Sequence, residues 1–98
     1  MKSILQNDTQ HCFLCGRNAN FEPLDKHHVF GGAFRDKSEK YGLTVYLHHS
    51  TCHIFGRKAV HVDNETAEQL KAYAQKVAME HYGWTVEDFI RKFGKNHI

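Results

Sequence analysis

The sequence predicts a small α+β fold: a metal-binding core of two short strands and a helical turn, braced by a zinc knuckle and followed by two C-terminal helices. Three observations predict it. Metal-ligand residue types crowd into one stretch, with Cys12, Cys15, His27, His28, His48, His49, Cys52, His53 and His61 close together. Within that stretch, β-branched and aromatic runs bounded by glycine read as strands. Beyond Asp63 the pattern changes to apolar residues at helical spacing.

The elements follow in chain order. Residues 1–11 carry no strong pattern and read as a frayed lead-in. Cys12-Phe13-Leu14-Cys15-Gly16 reads as a knuckle, Gly16 being free to take the positive φ that turns backbone amides toward the sulfurs. After Pro23, the only proline, a strand is expected over Asp25 to Phe30, ended by Gly31-Gly32. Ala33 to Lys40 is polar apart from Phe34 and reads as a loop with room for one helical turn. Leu43 to Leu47, entered through Gly42, is the clearest strand, and the two strands suit an antiparallel pair. A short helix is expected from Ser50 and stopped by Gly56.

Asn64 makes a good N-cap for a helix in which Ala67, Leu70, Ala74, Val77 and Ala78 form one stripe, with Gly83 at its end. Thr85-Val86-Glu87-Asp88 resembles a capping box opening a last helix, with Phe89, Ile90 and Phe93 on one face and Gly94 closing it. Apolar stripes at this spacing face a core, so both helices are read as packing elements.

Composition bounds the function. Ninety-eight residues, 41% of them hydrophobic, make one domain over 1–98, with a chemical part at 12–62 and a helical part at 64–94. A chain of this length buries roughly 60–68% of its unfolded surface, so the core is thin and a brace is welcome. No run approaches the ~18 apolar residues of a membrane span, and the first residues lack the apolar stretch of an export signal. No membrane association is therefore expected, and a cytoplasmic setting is. Disorder is disfavoured by 12% aromatics and a single proline. The net charge of +2 is too small by itself to argue for nucleic acid. The unusual counts are nine histidines and three cysteines. An odd number of thiols in a reducing compartment points to metal rather than disulfides.

Two metal sites can be read from the spacing. Cys12-x-x-Cys15 supplies two thiolates from one turn, half of a tetrahedral zinc site. His49-Ser50-Thr51-Cys52 has the same spacing, which allows a Cys3His site of Cys12, Cys15, His49 and Cys52. His48 can stand in for His49, because spacing alone does not say which neighbour faces the ion. A thioredoxin-like redox reading of Cys12 and Cys15 would need a βαβ pattern around them, and none is present. The remaining histidines need another account. His27 and His28 sit on the first strand, His53 follows Cys52 and His61 comes eight residues later. Neighbours on a helix point about 100° apart, so Cys52 and His53 can each serve a different ion. Strand, strand and helix carrying His-His and His form the skeleton of a ββα metal motif. Neutral imidazoles suit a borderline divalent cation with positions left open for water and phosphate.

Asp25-Lys26-His27-His28-Val29-Phe30, Leu47 to His53 and Val60-His61, together with Cys12 and Cys15, resemble a compact phage-type HNH endonuclease. The pattern is similar to that of the group related to the phage recombination-enhancement nucleases. The resemblance covers about Cys12 to Val62, and Asp88-Phe89-Ile90-Arg91-Lys92-Phe93-Gly94 is similar to that group's C-terminus. It implies an endonuclease hydrolysing DNA phosphodiesters with low sequence specificity, in a phage-infected or prophage-bearing bacterial cell. It further implies His28 as general base, and His27, His53 and His61 as ligands of a catalytic Mg²⁺, Mn²⁺, Ni²⁺ or Zn²⁺ beside the structural zinc. A recombinase filament or another phage or host protein would be a fitting partner.

Two departures stand out: Tyr41-Gly42 holds the place of the motif's usual Asn, and the second knuckle begins with His where many relatives have Cys. Because successive strand residues face opposite ways, His27 and His28 serving one site predicts a bulge or twist near Gly31-Gly32. Lys26, Arg35, Lys37, Lys40, Arg57 and Lys58 cluster in the same region and are candidate contacts to DNA phosphates. The competing reading is a non-catalytic zinc-braced module that binds nucleic acid or protein, and a third is a structural subunit of a phage recombination or packaging assembly.

Overall fold

The computed structural model describes residues 2–54, 56, 57 and 59–98. Strand β1 (Leu24–His28) pairs antiparallel with β2 (Thr44–His48), in a register running from Leu24 opposite His48 to His28 opposite Thr44. β2 is the centre of the fold, with Thr44, Val45, Leu47 and His48 buried. A strand so enclosed needs partners on both edges. The N-terminal lead-in supplies the second set, so it is not frayed. Ile4 N–H donates to the Gly42 carbonyl, Gln6 Oε1 accepts from Tyr46 N–H, and Phe13 N–H donates to the Tyr46 carbonyl. Leu5 is buried as a result.

The polar stretch after β1 is a helix rather than a loop. A 3₁₀ turn (Gly32–Phe34) leads into α1 (Arg35–Tyr41). Its polar character reflects exposure, and Arg, Lys and Glu are good helix formers. Ser38, fully buried, pins α1 to the end of β1: its hydroxyl donates to the Phe30 carbonyl at 2.7 Å and accepts from Phe30 N–H at 3.0 Å. Gly42 ends the helix with φ 73°, and a Cβ there would lie 2.6 Å from the Lys2 carbonyl oxygen, so the position requires glycine twice over.

The turn after β2 begins one residue earlier than expected and is wide: a π-helical turn over His49–Ile54. Glu22 holds its start, with Oε1 accepting from the Ser50 and Thr51 amides at 3.0 and 3.1 Å and from the Thr51 hydroxyl at 2.8 Å. α2 (Asn64–Tyr82) follows with Asp63, not Asn64, in the N-cap position, and Asp63 accepts from the Thr66 hydroxyl. Leu70, Ala74, Gln75 and Ala78 are its buried residues. α3 (Val86–Phe93) opens with the expected capping box, Thr85 and Asp88 exchanging side-chain to backbone bonds at 3.0 and 3.1 Å. Phe89 and Phe93 are buried, whereas Ile90 is exposed at the edge of that face.

The two halves share one apolar cluster. Phe30, just past β1, packs against Phe93 at 4.8 Å and Phe89 at 5.4 Å between ring centres, while Leu43, Val45 and Leu47 join Leu70, Ala74 and Ala78. Gln75 is buried but satisfied, donating to Asn96 and accepting from His97 N–H. Among the described residues, no helix is long and apolar enough to cross a membrane.

Candidate metal centres

Cys12 and Cys15 flank a tight turn closed by Gly16 N–H donating to the Cys12 carbonyl and Cys12 N–H donating to that of Arg17. Opposite the turn lie His48, the last residue of β2, and Cys52 in the π-helical turn. One donor atom from each of Cys12, Cys15, His48 and Cys52 lies within 4.8 Å of the others, a set that could hold a structural zinc. His48 Nδ1 is 3.1 Å from Cys15 Sγ, and Nε2 donates to the Asn18 carbonyl at 3.0 Å. The second bond fixes the tautomer that turns the Nδ1 lone pair toward the sulfurs. The thiols fit an ion as well. Burial opposes ionisation of Cys12, but the facing amides of Cys15, His48 and Leu14 lower its pKa. Burial, with Cys12 and Cys15 adjacent, pushes Cys52 up to about 12. Crowded thiols whose ionisation is opposed by burial are what a divalent cation would relieve.

His48, not His49, thus completes the group that could hold an ion. His49 is the first residue past the strand ladder, and its half-exposed ring turns the other way to donate from Nδ1 to Asp25 Oδ2 at 2.6 Å. Which of the two histidines faced the sulfurs depended on where β2 ended.

The second group is His27, His53 and His61, which also present donor atoms within 4.8 Å of one another. Three separate elements deliver them. His27 comes from β1 and His53 from the π-helical turn, beside Cys52 but facing the other site. His61 arrives because its segment runs along that turn, with Val60 N–H donating to the Cys52 carbonyl and His61 N–H to that of His53. His27 Nδ1 lies 3.2 Å and His61 Nε2 3.1 Å from His53 Nε2. Nitrogens bound at about 2.0–2.1 Å to one ion sit roughly 3.0–3.4 Å apart, so the spacing suits coordination.

Behind His53, Asp25 Oδ2 accepts from Nδ1 at 2.9 Å, leaving the Nε2 lone pair pointed at the site in the carboxylate–histidine arrangement common around metals. Burial opposes the charge on Asp25, but its bonds from His53 and His49 hold it below the ordinary carboxylate range. Burial, then repulsion from His53 and His61, takes His27 down to about 3, so its ring is neutral as a ligand must be.

The triad lies at one side of a cleft of about 510 Å³ also lined by His28, Lys26, Arg35 and Lys71. No bulge is needed to bring His28 there: the ladder continues through His27 opposite Val45 and His28 opposite Thr44. The two rings diverge as strand residues should. His27 joins the triad, while His28 Nε2 lies 2.9 Å from Glu39 Oε1 and its Nδ1 accepts from Arg35 Nε at 3.4 Å.

Among the described residues, the predicted basic residues do not all line the cleft. Lys26 and Arg35 line the cleft, with Lys26 Nζ 2.9 Å from the Glu39 carboxylate. Lys37 donates to the Lys92 carbonyl, Lys40 lies over the Tyr41 ring, and Arg57 is exposed. Lys58 lies outside the described residues. Lys71, reached from α2, is a cleft residue that sequence reasoning missed because α2 was read as packing alone. Asp25 and Glu39 were missed as well, since a carboxylate supporting a histidine from another element leaves no local spacing signal.

No protein-family model matches this chain, and neither the curated proteins nor the solved structures contain a match.

Proposed function

We propose that the protein is a metal-dependent endonuclease of the HNH type that hydrolyses DNA phosphodiester bonds. The reading is carried by one observation: three imidazole nitrogens able to share an ion open onto the same cleft as a fourth histidine, His28, and the cations Lys26, Arg35 and Lys71. Three nitrogen ligands leave coordination positions for water or phosphate, unlike the closed Cys3His set. The resemblance over Asp25 to Phe30, Leu47 to His53 and Val60-His61 implies the same roles for His27, His28, His53 and His61.

His28 acts as general base. A water attacks phosphorus as its proton passes to the imidazole. The P–O3′ bond then breaks, the leaving oxygen takes a proton from solvent, and His28 returns its own to solvent. Lys26, Arg35 and Lys71 hold the flanking phosphates, contacts that are salt-sensitive and blind to base sequence. His27, His53 and His61 would hold a divalent ion, which would supply positive charge to offset the negative charge that develops in the reaction. The Cys12, Cys15, His48 and Cys52 set braces the turn that carries His53.

The test is plasmid nicking with Mg²⁺, Mn²⁺, Ni²⁺ or Zn²⁺, comparing wild type with His28→Ala. General-base assistance is worth about 10²–10⁴ in rate, so the variant should bind DNA and nick it at least a hundredfold more slowly. DNA binding without cleavage under any of these ions would replace the enzyme with a zinc-braced binding module. Equal nicking by both proteins would defeat the assignment of His28.

A further inference from the structure

One carboxylate in contact with the cleft residues Lys26 and His28, that of Glu39, is left without a role by the proposed function. Arg35 and Glu39 stand four residues apart on α1 and so share one flank of the helix. Between them they grip a single ring. Glu39 Oε1 lies 2.9 Å from His28 Nε2, and Arg35 Nε lies 3.4 Å from His28 Nδ1. An ionised carboxylate can only accept, so Nε2 must carry the proton; a guanidinium can only donate, so Nδ1 must carry the lone pair. Two contacts at opposite corners of the ring thus select the same tautomer.

We infer that Glu39 is the positioning residue of the general base: it holds His28 with Nε2 protonated and Nδ1 available to take the proton of the attacking water. It also stabilises the imidazolium that this transfer creates, as the buried aspartate does in a serine-protease triad. The inference rests on the nuclease reading. The scaffold suits the task, because Ser38, next to Glu39, ties α1 to the Phe30 backbone through both a donated and an accepted bond. Lys26 Nζ at 2.9 Å, with His28 as the second cause, keeps the carboxylate ionised, its pKa taken down to about 2. Arg35, exposed and at the longer distance, covers Nδ1 in the free protein. A phosphate entering the cleft competes for the guanidinium and uncovers the lone pair.

The experiment compares wild type, Glu39→Ala and Glu39→Gln by single-turnover cleavage, by DNA affinity and by ring ¹⁵N spectra of His28, assigned by its loss in His28→Ala. Glu39→Gln keeps the volume and helix contacts, which guards against a folding defect in Glu39→Ala. The expected result is a fall in the cleavage rate of about a hundredfold or more in both variants, with DNA affinity held within about threefold. On the alkaline plateau of the ring spectra, the wild-type ring should be the Nε2–H tautomer and Glu39→Ala a mixture. Wild-type cleavage rates in Glu39→Ala, or an Nδ1–H tautomer in the wild type, would overturn the inference. If wild type cuts no DNA with any ion, the nuclease reading fails, and the tautomer spectra alone still decide whether Glu39 fixes the ring.

Discussion

Replacing His48 or its neighbour His49 with alanine should give opposite outcomes. His48 is fully buried, with Nδ1 3.1 Å from Cys15 Sγ and Nε2 donating to the Asn18 carbonyl. Structural zinc contributes roughly 10–16 kcal/mol of apparent binding energy to folding, or about 2.5–4 kcal/mol per ligand if shared evenly among four. Total stability in a domain of this kind is only about 5–15 kcal/mol. At roughly 4–8 °C per kcal/mol, His48→Ala should lower Tm by at least about 10 °C. His49 is half-exposed and touches Asp25 rather than the sulfurs, so His49→Ala, losing at most about 1 kcal/mol, should move Tm by no more than about 8 °C. Cobalt substitution reads the sulfur site directly, since thiolate-to-cobalt absorption arises only there. The band should persist in His49→Ala and weaken or vanish in His48→Ala. Loss of the band in His49→Ala with retention in His48→Ala would refute the reasoning.

Other outcomes follow from the same geometry. Asp25→Ala removes the acceptor behind both His53 and His49; metal affinity at the histidine triad, measured by competition titration, should fall about 10–100-fold while the thiolate–cobalt band is unchanged. Phe89→Ala opens a cavity against Phe30 and Phe93, and urea unfolding should show a loss of about 3–5 kcal/mol. Thr85→Ala removes the α3 cap, at a cost of about 1 kcal/mol by the same measurement. The Glu68 carboxyl is lowered by its bond from His97 and by the nearby Lys71 and Lys95 charges. Its stabilisation is present above the ordinary glutamate range and fades as pH falls below it, so Glu68→Gln should flatten the acid limb of a Tm-against-pH profile.

Local sequence was informative where the chemistry is local. The knuckle of Cys12 and Cys15, strand β2, the stripe through Leu70, Ala74 and Ala78 and the cap at Thr85 each depend on residues within a few positions of one another. Spacing and turn chemistry therefore reveal them. The divergence of Cys52 and His53 to two sites was legible for the same reason. Where local polarity was the guide, it misled. Arg35 to Tyr41 is polar because it is exposed, not because it is a loop. Residues 2–11 lack a pattern because their ordering comes from the open edge of β2, through scattered single bonds such as Ile4 N–H to the Gly42 carbonyl and Tyr46 N–H to Gln6 Oε1, which leave no periodic signal.

What the sequence alone determined is the supply of ligands and the order in which strand, turn and helix present them. The tertiary structure decided which atoms meet. It chose His48 over His49 by the point at which β2 stops and side chains cease to alternate. It set Asp25 behind His53 and Glu39 behind His28, and it brought Lys71 from a packing helix to the cleft. His28 and Glu39 lie 11 positions apart and Asp25 and His53 lie 28 apart, each pair across different elements. No spacing rule connects such positions, because their proximity arises only once burial of a shared core has set the elements against each other.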